Sequence, residues 1–140
     1  MDLTLPLEAE ELIPHRLPMR LVDRLVDIDD KNGTIEADIR ADCPLVDASG
    51  VLDDIALTEL IAQAYAMIKG YNDLLDAAPV RQGFLVGIKK LTRQASANSG
   101  DTLRIAIRTI AEFDDLAIAR GEIWRADECL AEGEIKVWIN

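Results

Sequence analysis

The chain has 140 residues, 49% of them hydrophobic, and its 26 acidic and 15 basic side chains give a formal net charge of −11. This length can bury an apolar core as one domain over residues 1–140 without a metal or a disulfide. The charge repels nucleic acid, and the longest uncharged stretch, Leu60–Ile68, is too short for membrane insertion. The N-terminus lacks the basic flank and long apolar stretch of a secretory signal, so we expect a cytoplasmic protein.

The first forty residues predict a short helix and a β-hairpin. Leu7–Ile13 consists of good helix formers, and Pro14 limits how far that helix can continue. Leu21–Ile28 and Thr34–Ile39 are strand-like, and the turn-forming residues 31–33 lie between them. Cys43 has no cysteine or histidine at metal-ligand spacing, and neither does Cys129, so free thiols and no metal site are expected.

The middle of the chain predicts a loop followed by a long buried helix. Asp42–Gly50 is rich in turn-forming residues, and Asp53 and its neighbour Asp54 suit the N-terminal end of a helix. From Ile55 to Ile68 nearly every position is apolar, which indicates a helix wrapped by other structure. Gly70 and Asn72 are plausible stop signals.

The second half predicts four strands. Gly83–Leu91, Leu103–Arg108, Leu116–Ala126 and Leu130–Ile139 are strand-like, and a turn at 113–115 joins the middle pair. The predicted fold class is therefore α+β, with an antiparallel sheet wrapped around one long central helix.

Two polar side chains, Glu59 and Gln63, lie four residues apart on one face of the predicted helix among mostly apolar neighbours. An unpaired carboxylate there would lose hydration, which favours the protonated form that a general acid needs. The alternative is a helix face that reaches solvent, or a glutamate paired with a base or a backbone group. Periodicity alone does not separate these alternatives.

Basic residues are concentrated in residues 81–108, where six bases accompany a single acid, Asp101. This window is a candidate surface for an anionic partner, although solvated strand faces explain it as well. Its basic residues are Arg81, Lys89, Lys90, Arg93, Arg104 and Arg108.

Four segments together resemble a known family. Leu12–Arg24 resembles the Leu-Leu-Pro-His-Arg-x-Pro-(Phe/Met)-x-Leu-Val-Asp-Arg signature of the hot-dog-fold β-hydroxyacyl-acyl carrier protein dehydratases. Leu57–Ala64 resembles the Glu-x-(Met/Leu)-Ala-Gln-Ala of their central helix. Phe84–Ile88 and Gly100–Leu103 resemble their Phe-Leu-x-Gly-Ile strand and Pro-Gly-Asp-x-Leu turn. The order of the four segments makes the resemblance specific.

The resemblance implies a dimeric hot-dog protein with an active-site tunnel at the dimer interface. In this family a histidine removes the α-proton of a 3-hydroxyacyl thioester, and the helix carboxylate protonates the leaving hydroxyl. Backbone N–H groups at the helix start polarise the thioester carbonyl. Glu59 matches the carboxylate, and Gln63, Phe84 and Gly87 match residues expected to border the substrate. The resemblance implies no metal or redox cofactor, because this chemistry requires none. The substrate is carried on the phosphopantetheine of an acyl carrier protein.

The family's catalytic histidine is not matched. Its position, 14 residues before the carboxylate, is Leu45, and Asp53-Asp54 replaces the Pro-Gly before the helix. The loop resembles a divergent branch that includes dehydratase-like proteins of aryl-polyene pathways. His15, the single histidine, is expected to be structural, as the resemblance implies, or to act as the base next to Glu59 of either protomer. The third alternative is that no base exists.

These observations predict a dehydratase that forms a trans-2-enoyl thioester, with Glu59 as the acid and His15 as the available base. The alternatives are a catalytically silent acyl-thioester-binding or partner subunit of a hot-dog heterodimer, and a thioesterase. The expected partners are an acyl carrier protein and a second hot-dog chain, identical in a homodimer or higher homo-oligomer. Acyl carrier proteins are acidic, so docking is predicted at Arg81, Lys89, Lys90 and Arg93.

Overall fold

The computed structural model describes residues 3–79 and 83–139, with side chains omitted for 83–85. Within these described residues, one long helix, α1, accompanies seven strands and a single 3-10 turn at Ala9–Glu11. The helix α1 spans Asp54–Leu75. The strands are β1 (Leu7–Glu8), β2 (Arg24–Asp29), β3 (Asn32–Asp38), β4 (Gly83–Arg93), β5 (Thr102–Phe113), β6 (Leu116–Arg125) and β7 (Glu128–Ile139).

All seven strands form one antiparallel sheet in the order β1-β2-β3-β5-β6-β7-β4. Strand β6 alternates between half-exposed and buried side chains, and its buried positions include Ala119, Gly121 and Ile123. A Cβ atom at Gly121 would lie 2.6 Å from the Ile61 side chain, so the glycine lets α1 approach the sheet. The predicted α+β arrangement of a sheet around one long helix is confirmed.

The predicted hairpin is confirmed with a tighter turn, since Asn32 and Gly33 already belong to β3. The predicted helix at Leu7–Ile13 is wrong, because only the 3-10 turn forms there. Leu7 pairs with Leu25 as a strand residue, and the Ala9 N–H donates to the carbonyl of Asp23. So short a helix has little stability of its own, and sheet pairing prevails.

The predicted helix end at Gly70 and Asn72 is also wrong, since α1 continues to Leu75. A Cβ atom at Gly70 would lie 2.0 Å from the carbonyl oxygen of Leu12. The glycine therefore serves a close contact between α1 and the N-terminal segment. The Asn72 side chain donates to the carbonyls of Ile68 and Asp30, each at 3.0 Å, so it ties the helix to the β2–β3 turn.

Residues 12–21 run antiparallel along α1. The segment touches the helix at Gly70 through Leu12, and at Gln63 through Met19 and Leu21. It thereby connects the middle of the helix to its C-terminal half.

Both cysteines are free thiols, as predicted. Burial raises the pKa of the Cys129 thiol, with a further contribution from Glu122. In the part of the chain that the structure describes, no helix is both long and apolar enough to span a membrane.

Candidate active site

Glu59 and Gln63 form a hydrogen-bonded pair on one face of α1. Glu59 is half-buried, whereas Gln63 is only 1% exposed. The amide nitrogen of Gln63 donates to Oε1 of Glu59 at 2.9 Å and to the carbonyl of Met19 at 2.9 Å. Its amide oxygen accepts the N–H of Leu21 at 2.7 Å. The carboxylate is thus held by a side chain that is itself held by the backbone of residues 12–21.

Apolar side chains lie exposed around this pair. Ile55, one helical turn before Glu59, is 67% exposed, and Met19, whose carbonyl binds Gln63, is 66% exposed. Oε2 of Glu59 makes no hydrogen bond to any other described residue. The site therefore offers one unoccupied carboxylate oxygen next to exposed apolar surface, an arrangement suited to an acyl chain or to an apolar partner.

His15 makes no hydrogen bond and no ion pair with Glu59 among the described residues of the protomer. It is half-buried, and its Nδ1 atom is buried without a hydrogen-bond partner among those residues. His15 lies on the stretch of the 12–21 segment between Leu12, which contacts Gly70, and Met19, whose carbonyl binds Gln63.

Leu45 lies near the start of α1, in a surface cleft of about 370 Å³. The carbonyl of Leu45 accepts the N–H of Asp53 at 2.8 Å, and the Leu45 side chain packs against the core. Val46 and Leu52 line the same cleft. The position that matches the family histidine is thus occupied by an apolar side chain that cannot accept a proton.

Carboxylates surround the same cleft. Asp53 caps α1 by accepting the N–H of Ile55 at 2.9 Å, so this helix N–H is already occupied. Hydrogen bonds from the Val51 N–H and from Ser49 hold the pKa of Asp47 below its usual value. Asp54 pairs with Arg93 at 2.8 Å. A developing oxyanion at this helix start would meet negative charge, which is the opposite of what an acyl-transfer site requires.

The sheet separates Gly87 from the Glu59–Gln63 pair. Gly87 pairs with Lys136, which is exposed. Cross-strand partners share a face, so Gly87 lies on the side of the sheet opposite α1 and is not brought to Glu59 within the protomer. Phe84 belongs to β4, and its side chain lies outside the described part of the structure.

The predicted docking residues have different surroundings. Lys89 is exposed and pairs in register with Glu134, and Lys90 is exposed at an irregularity of β4. Arg93 is engaged by Asp54. Arg81 lies outside the described residues.

Sequence reasoning missed the role of Asp23, a buried carboxylate beside the 12–21 segment. It is 5% exposed and accepts hydrogen bonds from the backbone N–H of Asp38, at 2.6 Å, and from the guanidinium groups of Arg40 and Arg20. The signal was present, because Asp23 is a charged residue directly after the apolar pair Leu21-Val22. Asp23 anchors the end of the segment that holds Gln63.

No group of three or more His, Cys, Asp or Glu side chains arranged for a metal ion occurs in the part of the chain that the structure describes.

Comparison with known proteins identifies the family. The family model described as ApeP-like, ApeP dehydratase, matches residues 7–140. The chain belongs to the ApeP-like dehydratase family. The resemblance drawn from the four sequence segments is thus confirmed, and the chain is dehydratase-like.

Two curated relatives and one solved structure illustrate the relationship. The 3-hydroxyacyl-acyl-carrier-protein dehydratase FabZ of Methylobacterium sp. strain 4-46 is 33% identical over 138 residues, covering 92% of this chain and 81% of the relative. FabZ of Alkaliphilus metalliredigens is 27% identical over 128 residues, covering 87% and 84%. The dehydratase heterocomplex ApeI:P from Xenorhabdus doucetiae matches with a TM-score of 0.88 at 20% identity, covering 94% of this chain and 90% of that one. The predicted hot-dog fold is confirmed by this likeness.

Proposed function

We propose that the chain is the acid-bearing subunit of a dehydratase that acts on 3-hydroxyacyl thioesters carried by an acyl carrier protein. The observation that carries this proposal is the Glu59–Gln63 pair, which leaves one carboxylate oxygen of Glu59 unoccupied beside exposed apolar surface. FabZ relatives are named for this substrate class, which supports the choice.

The reaction needs one acid and one base. The base removes a proton from the α-carbon, the C–O bond at the β-carbon breaks, and the electron pair of the C–H bond becomes the new double bond. Glu59 in its protonated form donates its proton to the departing hydroxyl, which leaves as water. The product is a trans-2-enoyl thioester, and the base later returns its proton to Glu59 through solvent.

The base comes from a second hot-dog chain in this proposal. His15 is taken as structural in this proposal, since it makes no hydrogen bond or ion pair with Glu59 among the described residues of the protomer, and Leu45 is apolar and cannot accept a proton. A pair of identical chains would carry Leu45 twice at the position of the family histidine. The similarity to a protein described as a dehydratase heterocomplex supports a non-identical partner.

Strand β4 is the surface through which we place the partner. It lies at the edge of the sheet, has eleven residues and exposes Val86 (55%) and Ile88 (53%). An exposed apolar edge strand of this length is a template for strand pairing with another chain. Strand β4 lies close to the start of α1, because its Arg93 forms an ion pair with Asp54. Strand pairing at β4 would therefore bring the second sheet close to Ile55 and to the face of α1 that carries Glu59.

An acyl carrier protein is the proposed source of the substrate, delivered on its phosphopantetheine arm, and the chain itself needs no further cofactor. Lys89 and Lys90 are exposed and available for its acidic surface, and Arg81 precedes Lys89 by eight residues in the sequence. Arg93 is a weaker candidate because Asp54 neutralises it.

The test is dehydration of a 3-hydroxyacyl carrier-protein thioester, followed by mass loss of water, with the chain co-purified with a hot-dog dehydratase subunit that carries a catalytic histidine. Glu59→Gln should remove the activity, and His15→Ala should leave it within about twofold, since a general acid contributes about 100-fold or more. Full activity in Glu59→Gln would refute the proposal. Loss of activity in a folded His15→Ala protein would return His15 to the role of base.

The second candidate function is a silent partner that binds the acyl thioester without acting on it. Two features favour it: the acidic helix start is unsuited to polarising a carbonyl, and Leu45 cannot abstract a proton. Thioester binding that is unchanged in Glu59→Gln, without any contribution of this chain to turnover, would select this function.

A further inference from the structure

We infer that Gln63 determines which oxygen of Glu59 carries the catalytic proton, and that this oxygen is Oε2. The inference rests on the proposed function, because it concerns the acid of that reaction. It makes Gln63 a positioning residue, where the sequence suggested contact with the substrate.

Backbone groups on both sides fix the orientation of the Gln63 amide. The N–H of Leu21 can only donate, so the atom that faces it at 2.7 Å is the amide oxygen. The carbonyl of Met19 can only accept, so the atom that faces it at 2.9 Å is the amide nitrogen. A flipped amide would place donor against donor and acceptor against acceptor, leaving buried polar groups unpaired at a large cost.

The fixed amide in turn fixes the carboxyl group of Glu59. The second N–H of Gln63 points at Oε1 of Glu59 at 2.9 Å, so Oε1 must accept a hydrogen bond. A proton on Oε1 that pointed at Gln63 would meet the N–H of Gln63, which is itself a donor. The proton of the acid form is therefore placed on Oε2. Gln63 is 1% exposed, so Oε1 faces the N–H of a buried side chain at this point.

The consequence for the reaction is a defined direction of proton transfer. During elimination the O–H bond at Oε2 breaks as a bond forms to the hydroxyl oxygen of the substrate. Oε1 keeps its hydrogen bond from Gln63 before and after transfer, so the carboxyl group does not need to rotate. Such preorganisation raises kcat and has little effect on ground-state binding.

Gln63→Met tests this role, because methionine keeps the length of the side chain and removes both amide groups. Asn72→Leu is the matched control: Asn72 also lies on α1 and also ties the helix to a distant backbone carbonyl, at 3.0 Å from Asp30. Its position is about 20 Å from Glu59 along the helix axis, at 1.5 Å per residue. In the complex used above, Gln63→Met should lower kcat about tenfold or more with KM within about threefold, and Asn72→Leu should alter neither beyond about twofold.

The decisive comparison is the double variant. A positioning residue acts through Glu59, so Gln63→Met should change the residual rate of the Glu59→Gln protein by less than about twofold. A full tenfold loss in that background would show a structural effect and overturn the inference while leaving Glu59 as the acid. Unchanged activity in Glu59→Gln alone would instead refute the proposed function, so the two failures are distinguishable.

A measurement without turnover covers the case in which Gln63→Met does not fold. In ¹⁵N-labelled protein the two side-chain amide protons of Gln63 should exchange slowly with solvent. Glu59→Ala should shift one of them and speed its exchange, while the proton bonded to Met19 stays protected. Rapid exchange of both protons, or no response to Glu59→Ala, would overturn the inference.

Discussion

The middle of α1 and its first residues are about 9 Å apart along the helix axis at 1.5 Å per residue, yet they are built in opposite ways. At Glu59 an acidic side chain is supported by a buried amide and is left with one unoccupied oxygen. At the helix start Asp53 occupies the N–H of Ile55, Asp54 pairs with Arg93, and Leu45 fills the position of the family base.

Under the proposed function, this difference means that the chain retains half of a dehydratase site. The half proposed to protonate a leaving group is ordered by the hydrogen bonds of Gln63 with Glu59 and with the backbone of Met19 and Leu21. At the positions of the family base and of the turn that polarises the carbonyl, this chain has an apolar side chain and negative charge. A protein with only the first half needs a second chain to complete the reaction.

Glu59→Gln has the largest expected effect on the difference between the two regions. We expect a loss of about 100-fold or more in dehydration by the complex, because a general acid contributes that much. Glu122→Gln, on the face of the sheet opposite α1, is the control and should keep full activity. Equal activity of the two variants would remove the distinction between the two regions.

Gly70→Ala tests the close contact between α1 and the 12–21 segment, the segment that holds Gln63. Alanine normally favours a helix over glycine, yet its Cβ atom here would lie 2.0 Å from the carbonyl oxygen of Leu12. We expect a loss of about 2 kcal/mol or more in unfolding free energy, measured by urea denaturation, because overpacking a rigid backbone contact is costly. Gly87→Ala is the control, since its Cβ atom would meet Lys136 at an ordinary 3.6 Å. A Gly70→Ala protein as stable as Gly87→Ala would contradict the close contact.

The helix start is expected to matter for stability alone. Asp53→Ala should lower the unfolding free energy by about 1 kcal/mol through loss of the cap to Ile55, and Asp53→Asn should retain most of it. Neither change should reduce the rate of the complex. A rate loss greater than about tenfold in Asp53→Asn would show that this carboxylate takes part in the reaction, contrary to the comparison.

The smallest effect concerns pH and the ion pairs of β2 and β3. A hydrogen bond from Arg24, at 2.9 Å, holds the pKa of Asp38 below its usual value. Because the folded value is the lower one, this stabilisation is present above the ordinary value of about 3.9 and is lost as the pH falls through the folded value. Asp38→Asn should therefore flatten the acid side of the stability profile by a small amount. An unchanged profile below about pH 4 would show that the pair contributes nothing.

The fold followed from sequence because its signals are local. Strand alternation in β5, the apolar run after Ile55 and the turn residues near Gly33 each predict their element without reference to the rest of the chain. The errors arose where a distant contact decides. Gly70 is typical of a helix end in isolation, and only the carbonyl of Leu12, 58 positions earlier in the sequence, shows why the helix continues.

The candidate site was predictable in its residue types and not in its connections. Glu59 and Gln63 stood out as polar residues in an apolar helix, and Leu45 was singled out by the resemblance to the family, whose histidine it replaces. The hydrogen bonds that join Gln63 to the backbone of Met19 and Leu21 span more than 40 residues, and no periodicity indicates them. The pairing of Arg93 with Asp54 depends on the same kind of long-range placement, so it was not visible in the sequence.

The most direct measurement is water loss from a 3-hydroxyacyl carrier-protein thioester. It compares the purified chain alone with the same chain mixed with a histidine-bearing hot-dog subunit. In that subunit the helix carboxylate is replaced by the corresponding amide, so that it cannot supply the acid itself. We predict no turnover by either protein alone and turnover by the mixture, abolished by Glu59→Gln in this chain. Turnover by the chain alone at the rate of the mixture, or turnover by the mixture that survives Glu59→Gln, would contradict an acid-bearing half site.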